Sequence, residues 1–239
     1  MRGELAGRRV LVAGGAAGIG AATATLCDAE GAAVAVIDRS QCPGGLVADV
    51  RDTAAVDAAV AQASQDMGGI DGVIYCAGID LMAPLEAMRD AEWERVLDVN
   101  LTGAMRVCRA ALRHFPARGG TMVLVSSGAG LRPLPLRTAY AAAKAGLIMF
   151  AKVLAMELSE RDIRVNALCP GAVDTALFRS SWEGAENPQA ELEMIRNRYA
   201  LRRIAEPEEI ARCAVFLTGA QSSYVTGTAL AVDGGRTFH

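Results

Sequence analysis

Short apolar runs at residues 9–13, 33–37, 72–75, 122–125, 165–168 and 229–232 alternate with longer stretches of helical spacing at 19–30, 53–67, 92–115, 138–161 and 207–218. Four to six apolar residues between turn signals suit a strand buried on both faces. A dozen or more residues with apolar positions three and four apart suit a helix. Strands that alternate with helices are joined by crossovers, which makes them parallel neighbours and covers both faces of the sheet. The expectation is an α/β fold with a doubly wound parallel sheet. One connection breaks the rhythm. Only residues 39–45 separate Asp38 from the next candidate strand near Leu46, too few for a helical crossover, and Pro43-Gly44-Gly45 disfavours a helix interior. A loop is expected there. Residues 172–205 hold Trp182, Gly184, Asn187-Pro188 and a polar helical piece near 189–198, a long insertion of the kind that covers an active site as a lid.

Composition narrows the function classes. The 239 residues are 52% hydrophobic and 21% charged, enough to bury a core without disulfides or metals, and no change in composition divides them, so 1–239 reads as one domain. The formal net charge is −3 and no Lys/Arg block occurs, which gives no footprint for nucleic acid or an anionic membrane. Residues 1–9 are charged and lack an apolar signal region, and no apolar run is expected to reach the ~18 residues of a membrane span, so a soluble, cytoplasmic protein is expected. Cys27, Cys42, Cys76, Cys108, Cys169 and Cys213 are scattered without a C-x-x-C pair and are expected to be reduced. His114 and His239 are the only histidines, too few for a histidine metal centre or triad, and no metal is expected.

The first apolar run leads into Gly14-Gly15-Ala16-Ala17-Gly18-Ile19-Gly20 and then a helix. Glycines there allow a sharp turn and a close backbone approach, and the free N–H groups at the helix start suit a pyrophosphate. The alternative is a tight strand-to-helix corner with no ligand. Asp38 closes the second strand where a dinucleotide fold places a carboxylate on the adenosine ribose. It favours NAD, because a carboxylate repels the 2′-phosphate of NADP. Arg39, next to it, could pair with that phosphate, so NADP stands as the alternative cofactor.

Ser126-Ser127 end the apolar run at 122–125, at the carboxyl edge where parallel sheets bind ligands. Tyr140 and Lys144 follow, four apart in an alanine-rich stretch, so their side chains share one helix face. A lysine charge ~4 Å from a phenol, at an effective dielectric near 20, is worth ~4 kcal/mol, which would bring the tyrosine toward neutral pH. Tyr140 would then serve as acid or base, with Ser127 orienting a carbonyl or alcohol oxygen. Other residues read as structural. The Glu206-Pro207-Glu208-Glu209 cluster opens a helix, and His114 ends one. Met82, Leu134, Leu136, Trp182 and Met194 are candidates either for an apolar substrate pocket or for core.

Taken in order, Gly14, Gly18 and Gly20, Asp38, Ala77-Gly78, Asn100, Ser127, Tyr140, Lys144, Asn166, Pro170-Gly171, and the ending Val225-Thr226-Gly227 through Val232-Asp233-Gly234-Gly235 resemble the short-chain dehydrogenase/reductase family over nearly the whole chain. The resemblance implies a three-layer Rossmann fold with a seven-stranded sheet and a catalytic tetrad of Asn100, Ser127, Tyr140 and Lys144. In it Tyr140 is the acid/base, Lys144 holds the nicotinamide ribose, Ser127 positions the substrate oxygen, and Asn100 supports a water-linked proton path to Lys144. Gly14, Gly18, Ile19, Gly20, Asp38, Ala77 and Gly78 would cradle the cofactor. Asp49 and Val50 match the family's adenine contacts, and Val173 and Thr175 its nicotinamide contacts. Also implied are a small alcohol or ketone substrate and a homotetramer built through 92–115, 138–161 and the final strand. Ala13 stands where the family has threonine, and Tyr75-Cys76 stand where it has two asparagines. The short loop after Asp38 is similar to that of cyclic dihydrodiol dehydrogenases. The expected activity is hydride transfer between NAD and a secondary alcohol or ketone, cyclic alcohols included. The alternatives are NADP-dependent reduction of a 3-oxoacyl carrier protein and, from another class, a non-catalytic nucleotide-binding sensor or scaffold.

Overall fold

A computed structural model describes residues 3–238, so His239 lies outside the described residues. Seven parallel strands form one sheet: β1 (Arg9–Ala13), β2 (Ala33–Asp38), β3 (Leu46–Val47), β4 (Gly72–Tyr75), β5 (Gly120–Val125), β6 (Ile163–Pro170) and β7 (Ala229–Val232). Their order is β3-β2-β1-β4-β5-β6-β7, so the winding reverses between β1 and β4. The period of two in the strands explains the layers. Val10 and Val12 pack on one face with Ile74, Cys27 and Ile210, under helices α1 (Gly18–Ala29) and α8 (Pro207–Thr218). Leu11, Ala13 and Tyr75 pack on the other, under α2 (Thr53–Met67), α4 (Gly103–Leu112) and α5 (Thr138–Glu157). This is the three-layer, doubly wound fold expected.

Helix ends fall where side chains can cap them. Asp52 accepts the N–H groups of Ala54 and Ala55 at 2.9 and 3.1 Å, and Gly68 closes α2 at φ 72°. Pro207 opens α8, and the Glu209 carboxylate accepts the Glu206 N–H at 2.9 Å, which accounts for the glutamate cluster. The connection from β2 to β3 is a loop, as its length requires. All six cysteines are free thiols.

Two expectations need correction. The stretch 92–115 is not one helix: α3 (Asp90–Leu97) and α4 are joined by a π turn, Asp98–Thr102, where the Gly103 N–H reaches back to the Asp98 carbonyl. One inserted residue leaves the apolar spacing on either side intact, so periodicity does not report it. Second, α5 is long and apolar enough by composition to cross a membrane. Here its buried residues, Ala143, Leu147 and Ala151 among them, pack within the protein core, and the helix carries Tyr140 and Lys144.

Residues 172–205 contain α6 (Ala176–Arg179) and α7 (Pro188–Arg196). Their ends are pinned together by a parallel bridge, Val173 to Ala205, with Ala205 N–H donating to Ala172 O at 3.0 Å. The excursion thus leaves from and returns to one point beside β6.

Candidate active site

The carboxyl ends of β1, β2 and β4 form one arm of a cleft. Gly14 turns at φ +81°, and a side chain on it would meet the Ala77 backbone nitrogen at 2.4 Å. A side chain on Gly20 would lie 2.0 Å from the Gly14 carbonyl. Only glycine permits this approach of helix, turn and strand. The N-cap of α1, Ala17, offers no side-chain acceptor and the first turn holds no acid, so the opening N–H groups and the positive end of the dipole are open to a phosphate. Asp38 ends β2 with its carboxylate held by the N–H groups of Ala16 at 3.1 Å and Ser40 at 2.9 Å. Arg39, Ala48, Asp49, Val50, Ala77 and Gly78 continue the wall around a space of about 1310 Å³, mouth included. Asp49 is paired to Arg51 at 2.6 Å, which holds its carboxyl below the usual range. The uncapped helix start, the glycine cradle and a carboxylate at the far end together fit a dinucleotide.

Ser127, Tyr140, Lys144 and Asn100 meet beside this arm. Ser127 follows β5; its Oγ accepts the Ala129 N–H at 3.1 Å, and its hydroxyl acts on the Tyr140 phenol. Lys144, one turn on from Tyr140, is buried, with Nζ 5.6 Å from the Tyr140 ring centre and donating to the Val125 carbonyl at 2.9 Å. Asn100 lies in the π turn. Its Nδ2 donates to Ile79 O and Val96 O, each at 2.9 Å, while its buried Oδ1 has no hydrogen-bond partner among the described residues. The turn is braced by Tyr75, whose hydroxyl donates to the Val99 carbonyl at 2.5 Å. A side chain on Gly78 would lie 2.9 Å from Asn100 Oδ1 and 3.5 Å from Lys144 Nζ, so both polar groups face the one residue without a Cβ.

The electrostatics differ from what the four-residue spacing predicts. Burial pushes the Tyr140 phenol up to about 12, with Ser127 pulling the other way, and burial draws the Lys144 ammonium down to about 8. Desolvation therefore exceeds the expected lysine effect, because Lys144 aims its nitrogen at Val125 O. An ion pair, Asp80–Arg137 at 2.6 Å, lies on the same wall.

The second arm, about 1160 Å³ with its mouth, shares Ile19, Cys76, Gly78, Thr175 and Leu177 with the first. Its apolar lining includes Leu134, Val173, Leu177, Phe178 and Ile195. Of the pocket candidates from sequence only Leu134 is there. Met82, Leu136 and Met194 are exposed, and Trp182 lies behind, its ring 6.3 Å from that of Phe178. Leu177, Phe178 and Ile195 were hidden by the polar composition of 172–205, although each sits in a helix whose capping residue, Thr175 or Asn187, is legible.

A family model described as enoyl-(acyl carrier protein) reductase matches residues 14–237. A 3β-hydroxysteroid dehydrogenase of Eggerthella lenta is 37% identical over 100% of this chain and 97% of its own. A 3-oxoacyl-[acyl-carrier-protein] reductase of Chlamydia muridarum is 38% identical over 98% of this chain and 99% of its own. The aldohexose dehydrogenase of Thermoplasma acidophilum, ligand-free, superposes with a TM-score of 0.94 at 28% identity, covering 100% of this chain and 97% of that one. Matched along nearly its whole length in sequence and in shape, the chain belongs to the short-chain dehydrogenase/reductase family.

Proposed function

We propose that this NAD(P)-dependent oxidoreductase uses NAD and acts on a secondary alcohol or ketone, with Tyr140 as acid/base. The observation that carries the reading is the buried Tyr140 phenol, which shares with Ser127 and Lys144 the lining of the arm that opens onto the glycine cradle. In reduction Tyr140 donates its proton to the carbonyl oxygen, and Ser127 holds that oxygen in place. A phenol pushed up to about 12 is protonated at neutral pH, the state that reduction needs. Oxidation needs the proton removed from it, so the oxidative direction gains with rising pH. Bound nicotinamide supplies or accepts the hydride. Asn100 supports a water-linked proton path from solvent to Lys144 and on to Tyr140, the polar atoms of Asn100 and Lys144 both facing Gly78. Gly14, Gly18, Ile19 and Gly20 hold the pyrophosphate, and Val173 and Thr175 the nicotinamide end.

Asp38 supports NAD, since its pinned carboxylate occupies the ribose end and disfavours a 2′-phosphate. Arg39 on the same wall favours a second reading, NADP-dependent 3-oxoacyl reduction, the activity named for the Chlamydia relative. A homotetramer is supported by an exposed stripe on α5, Met149, Val153 and Met156, and by the exposed Tyr224. The test is a pair of titrations with NADH and NADPH on wild type and Tyr140→Phe, alongside turnover. NADH binds in preference, and the variant binds it within a few-fold while losing at least ~10³-fold in kcat. Retained turnover in the variant refutes the reading of Tyr140, and tighter NADPH binding refutes that of Asp38.

A further inference from the structure

Four arginines from separate parts of the chain line the substrate arm: Arg132 and Arg137 after β5, Arg198 after α7, and Arg236 after β7. Arg137 pairs with Asp80. Arg132 and Arg198 both lie near Arg236. Arg132 Nη1 donates to the Arg236 carbonyl at 2.9 Å, tying the two segments together. Arg236 is flanked by Arg132 and Arg198, and its partial burial beside them holds its guanidinium below the usual arginine range. Among the described residues the carboxylate that acts on Arg236 is Asp233. It is buried, and its two oxygens accept the N–H groups of Gly235 at 3.0 Å and Thr237 at 2.8 Å. Among the described residues no ion pair joins Arg198 or Arg236 to a carboxylate.

Like charges gathered in a cleft repel one another, and partial desolvation adds to that cost. The chain as a whole is acidic, net −3, so the cluster is not a sample of a basic surface. An anion removes both penalties. We infer that the substrate arm binds an organic carboxylate, seated on Arg198 and Arg236, so that the substrate is a hydroxy or oxo acid. A guanidinium presents two parallel N–H donors that match the two oxygens of a carboxylate, and this planar fork is what selects arginine over lysine. The position of the reacting C–O group at Ser127 and Tyr140 rests on the redox reading above; the anion site does not.

The test separates the two. With NADH-loaded protein, calorimetry measures benzoate, benzenesulfonate and benzamide on wild type, Arg236→Met and Arg198→Met. Turnover is compared for 3-oxocyclohexanecarboxylate and its methyl ester. Benzoate binds at least ten-fold tighter than benzamide and loses at least ten-fold in each variant. The acid is preferred over the ester at least ten-fold in kcat/KM, through KM, and both variants narrow that ratio. Arg198 is exposed, so its replacement leaves the fold standing if that of Arg236 does not. Benzoate bound no better than benzamide, or unaffected by both substitutions, overturns the inference, and a stronger hold on benzenesulfonate overturns the choice of carboxylate. Arginine-dependent benzoate binding without reduction of either ketone refutes the redox reading and leaves the anion site. Equal reduction of acid and ester does the reverse.

Discussion

Replacing Lys144 with methionine should make the nucleotide-free protein more stable while removing its activity. The ammonium is buried and its pKa falls from 10.5 to about 8, so the folded state holds this proton less tightly than the unfolded chain does. Each unit is about 1.4 kcal/mol, so below pH 8 the charged lysine destabilises the fold by about 3 kcal/mol. Losing its hydrogen bond to Val125 O returns about 1 kcal/mol of that. Lys144→Met is therefore about 2 kcal/mol more stable at pH 7, or about 4–8 °C in Tm for a chain of this size. The difference has a pH signature. Between pH 8 and 10.5 the folded wild type has lost the proton and the unfolded chain has not, so wild-type stability rises relative to the variant and the gap narrows. Thermal melts of both proteins at pH 7 and pH 10, without nucleotide, read this directly. A variant that melts lower at pH 7, or a gap that does not change with pH, refutes the assignment of a desolvated ammonium.

Three further outcomes follow from particular contacts. Asp38→Ala shifts the ratio of NAD to NADP affinity at least ten-fold toward NADP, because a like-charge contact worth several kcal/mol disappears; fluorescence titration with both reduced nucleotides measures it. Gly20→Ala sets a methyl group 2.0 Å from the Gly14 carbonyl, and forcing helix and turn apart costs about 1–3 kcal/mol and weakens NADH binding, seen in a lowered Tm and a raised Kd. Tyr75→Phe takes the hydroxyl from the Val99 carbonyl in the π turn that seats Asn100, lowering stability by about 1–3 kcal/mol and kcat with it, while NADH affinity holds.

Strands and the glycine cradle were legible because their signals are local. A strand buried on both faces must be apolar throughout, and a helix that starts at Asp52 or Pro207 announces it with its cap. The loop after Asp38 followed from its length and from Pro43-Gly44-Gly45. What spacing did not disclose depends on the third dimension. Tyr140 and Lys144 share a helix face as expected, but the direction of the tyrosine shift is set by burial, which a four-residue interval does not contain. The π turn changes hydrogen bonding without changing composition. Leu177, Phe178 and Ile195 line the cleft from a segment whose average character is polar, and Arg132, Arg198 and Arg236 are brought together only by the ends of three different elements.

The place of β1 in the sheet also governs when the cradle comes into being as the chain folds. β1 pairs with β2 through Arg9 and Ala33, a near neighbour along the chain, but with β4 through Val10 and Gly72, which closes a far longer loop. The entropy lost grows with the logarithm of loop length, and sheets held by distant parallel pairings fold slowly. Gly14 rests against Ala77 just beyond β4, so the first strand, turn and helix make only half a nucleotide site until β4 docks. Nucleotide accordingly plays no part in nucleating the fold; it acts late, as a latch on the assembled sheet, slowing unfolding more than it speeds refolding.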